Sequence, residues 1–206
     1  MGDSATTLRR LGVSDARAAG QVLGRAFWDD PMSVYLLPDD DHRTAALPHF
    51  MTVGALIGMV QGEVWSRPEA MEGAAVWVPP GAQGVPDDSM GDALAEMAVA
   101  FGPEALERAN GFFAAMGGAH GRNMGETPHW YLMILGVDPP RQGTGVGSGL
   151  IAPVLTRADE AGMPVYLETM KAKNVPFYER HGFTVLEEAD HETLHYWAMR
   201  REPKSR

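Results

Sequence analysis

The chain of 206 residues has no cysteine, which removes disulfides, thiolate metal sites and a cysteine nucleophile from consideration together. Lysine is nearly as scarce, with only Lys171, Lys173 and Lys204, and the formal net charge is −10. That balance argues against a nucleic-acid partner, whose phosphates demand a basic surface. No apolar stretch follows a basic amino-terminal region, and no run reaches the roughly 18 apolar residues expected of a membrane span. The expectation is a soluble, cytoplasmic protein with no membrane partner. The histidines lack metal-ligand spacing: His191 and His195 are four apart but fall in what reads as a strand, so they would not share a helix face and no metal is expected. What the chain has is an ordinary globular composition, 45% apolar and 21% charged, in a length that suits a single domain spanning residues 1–206. Its acidity is compatible with a cationic substrate drawn by the protein's field, or with solubility alone.

The most informative stretch is His129 to Leu150, HWYLMILGVDPPRQGTGVGSGL. Trp130 to Val137 is aromatic, aliphatic or β-branched without charge, as a strand buried on both faces would be. Asp138, Pro139 and Pro140 end it. Glycines then stand at 143, 145, 147 and 149, and from Ser148 the pattern turns helical. Such a loop presents backbone N–H groups and the positive end of a helix dipole to an anion, with a pyrophosphate as the expected ligand. A Walker loop would need a lysine that is missing, and the dinucleotide fingerprint would need glycine at 148 or 150, where Ser148 and Leu150 stand. The remaining pattern is Gln142-Gly143-Thr144-Gly145-Val146-Gly147, after a strand ending in Val-Asp-Pro.

Before this stretch the pattern predicts a strand over Thr6–Leu11, a helix capped by Ser14 and running to about Phe27, and a breaker at Trp28-Asp29-Asp30-Pro31. A short apolar piece, Met32–Leu37, follows, with Trp28, Tyr35 and Leu36 covering the core. A helix from Asp39 to about Val60 with Pro48 inside it comes next, then a hairpin of Glu63–Ser66 and Gly73–Val78. Residues 86–119 read as a helical insertion: one helix from an Asp87/Asp88/Ser89 cap to Ala100, a second from near Pro103 to Met116. Its Met97, Phe101, Phe112, Phe113 and Met116 suit core packing better than a pocket. Gly117–Pro128 reads as an exposed loop. After the glycine loop come a helix to Ala161 containing Pro153, a buried strand starting at Val165 and ending at Glu168, a short helix from Asn174 to His181, and a hairpin of Phe183–Leu186 with Thr193–Met199. A strand, helix, strand unit implies that the strand at Val165 runs parallel to the one at Trp130. Gly136, a poor strand residue, marks a bulge or a close approach of another segment.

The loop pattern resembles that of the GCN5-related N-acetyltransferases, whose signature loop wraps the pyrophosphate of acetyl-coenzyme A. A second segment, Asn174-Val175-Pro176-Phe177-Tyr178-Glu179-Arg180-His181-Gly182-Phe183, is similar to the family's segment in which a tyrosine four residues before a Gly-Phe pair places its hydroxyl near the coenzyme sulfur. From Gly62 to the carboxyl end, segments such as GEVWSRPE and GAAVWV follow the order seen in the puromycin N-acetyltransferase-like members. The resemblance implies an α/β fold (α+β by some schemes): a mixed, mostly antiparallel twisted sheet, splayed between two parallel central strands and flanked by helices, with a helical insertion before the central strand. It implies a bulge at Gly136 and a coenzyme site of Leu135, Gly136, Val137, Gln142, Gly143, Thr144, Gly145, Val146, Gly147, Ser148 and Asn174. In many relatives the asparagine stands seven residues before the tyrosine; here the gap is four, so Asn174 either contacts coenzyme or only caps its helix. The implied general acid is Tyr178. Glu168 matches the position where some relatives carry the carboxylate that takes the amine proton, with Glu126, His129, Glu63 and His181 as weaker alternatives.

The function these residues predict is acetyl transfer from acetyl-coenzyme A, as cosubstrate, to the primary amine of a small molecule, an antibiotic or other secondary metabolite among the candidates. The amine would attack the thioester directly in a ternary complex of a monomer or homodimer. Two other readings share part of the pattern: acetylation of a protein lysine or amino terminus, and a non-catalytic module that binds coenzyme A and regulates.

Overall fold

The computed structural model describes residues 8–82 and 88–204. Residue 87 of the foreseen cap and the first residues of the foreseen opening strand lie outside what it describes. In chain order the elements are β1 (Arg9–Arg10), α1 (Ala16–Ala26), α2 (Pro31–Leu36), α3 (Asp40–Gln61), β2 (Glu63–Ser66), β3 (Gly73–Val78), α4 (Asp88–Met124), β4 (Trp130–Val137), α5 (Val146–Glu160), β5 (Val165–Thr169), α6 (Val175–Arg180), β6 (Phe183–His191) and β7 (Leu194–Arg201). The strands form one seven-stranded sheet in the order β1-β2-β3-β4-β5-β7-β6. All neighbours are antiparallel except the central β4 and β5, which are parallel, as the intervening helix α5 requires.

Alternation along the strands sends side chains to two cores. Val64, Val76, Tyr166, Tyr196 and Ala198 face α1 to α4, while Trp77, Leu132, Val165, Leu167 and Met199 face α5 and α6. β4 is half-buried along most of its length rather than buried on both faces. α3 is long and apolar enough, at a mean hydropathy of 1.2, to cross a membrane by length and composition, contrary to the absence of such a run expected above. Its Leu47, Met51, Ala55 and Leu56 are buried in the first core, which makes it a core helix.

Several local readings change. Ser14 does not cap α1: it sits in a 3-10 turn, Val13–Asp15, closed by the Asp15 carboxylate accepting the Gly12 N–H at 3.0 Å, and Asp15 stands at the start of α1 without a side-chain capping bond. The apolar piece after Pro31 is the helix α2, with proline at its start and the Asp30 carboxylate accepting the Met32 N–H. α4 bends at Gly102, where φ is 69°, so the break foreseen before Pro103 is present. The second half does not stop at Met116 or at residue 119, however, but continues to Met124 through the foreseen loop. Buried Ala119 and Met124 and the bonds of Arg122 and Asn123 to Glu187 outweigh the low helix propensity of Gly117, Gly118 and Gly121. Phe101, Phe112 and Met116 are core, whereas Phe113 is half exposed.

Candidate active site

β4 and β5 pair only at Trp130 with Val165 and Tyr131 with Tyr166, then diverge. The β4 edge facing β5 is therefore unpaired toward its C-terminal end. An irregularity accompanies the divergence: β3 pairs Val76 with Ile134 but the next residue, Trp77, with Leu132, which leaves Met133 as the extra residue of a bulge. The bulge expected at Gly136 is thus three residues earlier. Gly136 keeps regular pairing with Ala74 and is glycine for another reason: a Cβ there would lie 2.5 Å from Leu23 Cδ2 and 3.0 Å from Phe27 Cε2 of α1. The close approach of α1 narrows the space beside the open edge.

A cleft of about 390 Å³ fills the divergence. Its walls include Leu135, Gly136, Val137, Gln142, Gly143, Gly145, Gly147, Ser148, Asn174 and Tyr178, which brings most of the sequence-predicted coenzyme residues and the predicted acid to one place. Gly145 precedes α5 with φ 87°, a left-handed conformation costly to a side chain, and starts the helix inside the loop. The first α5 bond runs from the Gly149 N–H to the Gly145 carbonyl at 3.0 Å, so the N–H groups of Val146, Gly147 and Ser148 have no partner within the helix. Arg141, Lys171, Lys173 and Arg180 also line the cleft, so two of the chain's three lysines are here. A glycine cradle with free amides and a cationic wall fits a pyrophosphate ligand.

Two predicted loop residues do not line the cleft. Val146 is buried against the second core, and the Thr144 hydroxyl donates to the Arg141 carbonyl at 2.7 Å. Gln142 does line it, but its side-chain amide donates to the Val137 carbonyl at 3.1 Å and ties the loop back to β4. Asn174 makes no capping bond; its amide donates to Thr169 Oγ1 at 3.3 Å. Two ion pairs that no local pattern announces anchor the loop. Arg25 of α1 forks onto Asp138 at 3.0 and 2.7 Å, and Arg141 pairs with the buried Glu72 of the β2–β3 connection.

Tyr178 is 7% exposed and packs on Phe177 and Phe183. Burial, with the Asp30 charge second, pushes its hydroxyl well above the usual tyrosine range, so the proton stays on it at neutral pH. Glu168 is not part of the cleft lining: it lies on the α4 face of β5, where the Tyr131 hydroxyl donates to Oε2 at 2.8 Å. Its Oε1 has no hydrogen-bond partner among the described residues. Burial pushes the carboxyl up to about 7 against that hydrogen bond. Beside it the ring of His120 meets Tyr131 edge-on and Tyr166 at a tilt, and its Nε2 lies 2.7 Å from His129 Nε2. Burial first, then His129, holds His120 down to about 4. The sequence reading missed His120 because it assigned that segment to a loop.

The weaker alternatives scatter. Glu63 pairs with Arg157, Glu126 is exposed, and His181 Nε2 meets Ser148 Oγ at 3.0 Å. Among the described residues no group of three or more potential ligands could hold a metal ion. The sequence reading also missed Asp30, 7% exposed and lining the cleft.

Comparison with known proteins finds the same fold. The acetyltransferase (GNAT) family model matches residues 95–183. An uncharacterized N-acetyltransferase of Schizosaccharomyces pombe is 27% identical over 217 residues, covering 96% of this chain and 83% of its own. Among solved structures, the histone acetyltransferase HPA2 and related acetyltransferase of Corynebacterium glutamicum superimposes with a TM-score of 0.70 at 23% identity, with 97% of each chain covered. The polyamine N-acetyltransferase of Drosophila melanogaster gives 0.61 at 17% identity, covering 94% of this chain and 97% of that one. By its sheet, its glycine loop and these matches, the chain is similar to the GNAT acetyltransferases and has their fold.

Proposed function

We propose that the protein moves an acetyl group from acetyl-coenzyme A to the primary amine of a small molecule, by direct attack in a ternary complex. The observation that carries this reading is the meeting, in one cleft, of the glycine loop, the open β4 edge and the Tyr178 hydroxyl. Acetyl-coenzyme A supplies an acyl group already activated as a thioester. Amides of Gly143 to Ser148, with Arg141, Lys171, Lys173 and Arg180 around them, hold the phosphates, and the backbone of Leu135 to Val137 holds the slender arm. As the amine nitrogen bonds to the acyl carbon and the C–S bond breaks, Tyr178 Oη gives its proton to the sulfur and Glu168 receives the amine proton. The Glu168 carboxyl, near 7, suits that exchange at neutral pH. Because it lies outside the cleft lining, the proton reaches it through the Tyr131 hydroxyl or a water.

The resemblance to puromycin N-acetyltransferase-like members, and the small amines named for relatives such as the Drosophila enzyme, favour a free small molecule as acceptor over a protein lysine. The test is a screen of an amine library that reads thiol release with and without each acceptor. Coenzyme binding with no amine-dependent release would sink the reading and leave a coenzyme-binding regulator in its place.

A further inference from the structure

Two adjacent aspartates lie between α1 and α2, and their surroundings differ. The Asp29 side chain is 63% exposed and forms an ion pair with Lys171 at 2.6 Å. Asp30 is 7% exposed, lines the cleft, and uses Oδ1 to accept the Met32 N–H at 3.1 Å. Among the described residues no lysine or arginine lies within ion-pair distance of Asp30, since its nearer cation is taken by Asp29. A carboxylate buried without a counter-charge is a costly element of a fold. Its environment shows the cost: desolvation pushes the carboxyl up to about 6, although the Met32 N–H, Lys171 and Lys173 all pull it down. Its charge reaches Tyr178, whose hydroxyl it helps to push up. A buried acid that faces a ligand cleft, near a hydroxyl that keeps its proton, and that lacks only a cation is complementary to an ammonium group.

We propose that Asp30 binds the ammonium of the acceptor in the cleft, on the side facing Tyr178, and so selects a cationic primary amine. This rests on the acetyltransferase reading and adds a division of labour to it: Asp30 holds the ammonium, Glu168 takes the first of its protons to free the nucleophile, and the second, lost as the N–C bond forms, returns to the Tyr178 oxygen that protonated the sulfur. α2 serves the same residue twice, because the Met32 N–H that Asp30 caps also fixes its rotamer and leaves Oδ2 for a ligand. The charged and titratable groups facing Asp30 are Asp29 beside it, Lys171 and Lys173 from the segment after β5, and Tyr178 of α6. Asp30, pushed up to about 6, loses its charge as pH drops through that value, so affinity for the amine falls with it.

The test is Asp30→Asn, which keeps an oxygen to cap α2 and removes the charge. With the best amine from the library, KM for the amine should rise about 30-fold or more while kcat changes less than about 3-fold. The coenzyme A dissociation constant should not move, and Asp30→Glu should recover part of the loss. Glu168→Gln should give the opposite split, lowering kcat. An unchanged amine KM in Asp30→Asn overturns the proposal, as does a fall in kcat alone. A second measurement does not depend on turnover: carbon-13 carboxyl titration of aspartate-labelled protein with butylammonium chloride or 1-butanol as probe. The Asp30 midpoint should fall by about 1 unit with butylammonium and stay put with 1-butanol. No difference between the probes overturns the assignment. If no amine in the library is acetylated, the acetyltransferase reading fails while this titration still decides whether Asp30 binds ammonium.

Discussion

The two ends of the cleft are built by different means. The loop end uses backbone: glycines at fixed spacing, the unpaired amides of the first turn of α5, and a strand edge left open by the divergence of β4 and β5. The other end uses side chains from segments far apart in sequence. Asp30 comes from the α1–α2 link and Tyr178 from α6, and behind the cleft lining stand Tyr131 and Glu168 of the two central strands and His120 of the last turns of α4. Backbone chemistry suits a ligand that stays the same from one relative to the next. Side chains suit one that varies.

That contrast can be broken by substitution, beginning with the largest expected effect. Tyr178→Phe should lower kcat about 1000-fold, about 4 kcal/mol of barrier, in steady-state assays. The coenzyme dissociation constant measured by calorimetry should stay within about threefold. Equal losses in both would mean that Tyr178 belongs to the binding end. Gly136→Val should destabilise the fold by about 3 kcal/mol in urea melts, because the new side chain meets Leu23, Phe27 and Ala26 of α1. A fully stable variant would show that α1 does not press on β4.

Glu168→Gln probes the other end through pH. The carboxyl is pushed up to about 7 in the folded chain, above its unfolded value. Its contribution is therefore stabilising below the ordinary carboxylate range and is lost as pH rises through about 7. From pH 4.5 to 8 the parent protein should lose about 2 kcal/mol relative to the glutamine variant, read from urea melts at each pH. Parallel pH curves would mean that the carboxylate is better solvated than its surroundings indicate. The smallest effect expected is Gly145→Ala, about 1 kcal/mol of stability, because a side chain must enter the left-handed region at φ 87°. Its coenzyme affinity should fall more than its stability; the reverse would show that the loop holds its shape without serving a ligand.

How much of this could be read from the residues follows the same division. The glycine loop, the parallel pair around α5 and the short helix bearing Tyr178 are written locally, in spacings and turn residues, and the fold agrees with them. Asp30 was legible only as part of a helix breaker. Asp-Pro also announces a helix start, but nothing in the sequence announces that the carboxylate is buried. Glu168 was placed at a strand end, yet which face it takes depends on the strands around it. His120 was hidden because glycines at 117, 118 and 121 argue for a loop, and the packing that keeps them helical comes from β6 and the core. The bulge was misplaced for a related reason. Gly136 is a conspicuous residue in a strand, while Met133, which carries the irregularity, is not.

The central strands meet at only two residue pairs, Trp130 with Val165 and Tyr131 with Tyr166. In mechanical terms the sheet is two half-sheets, β1 to β4 and β5 to β7, sharing one short seam. Beyond that seam they are joined by the connection through α5 and by packing. A slender chain that hydrogen-bonds along the β4 edge acts as a splint between the halves. Amide exchange at Leu135, Gly136 and Val137 should then slow when coenzyme A binds, and so should exchange in β5, across a gap the protein itself does not bridge.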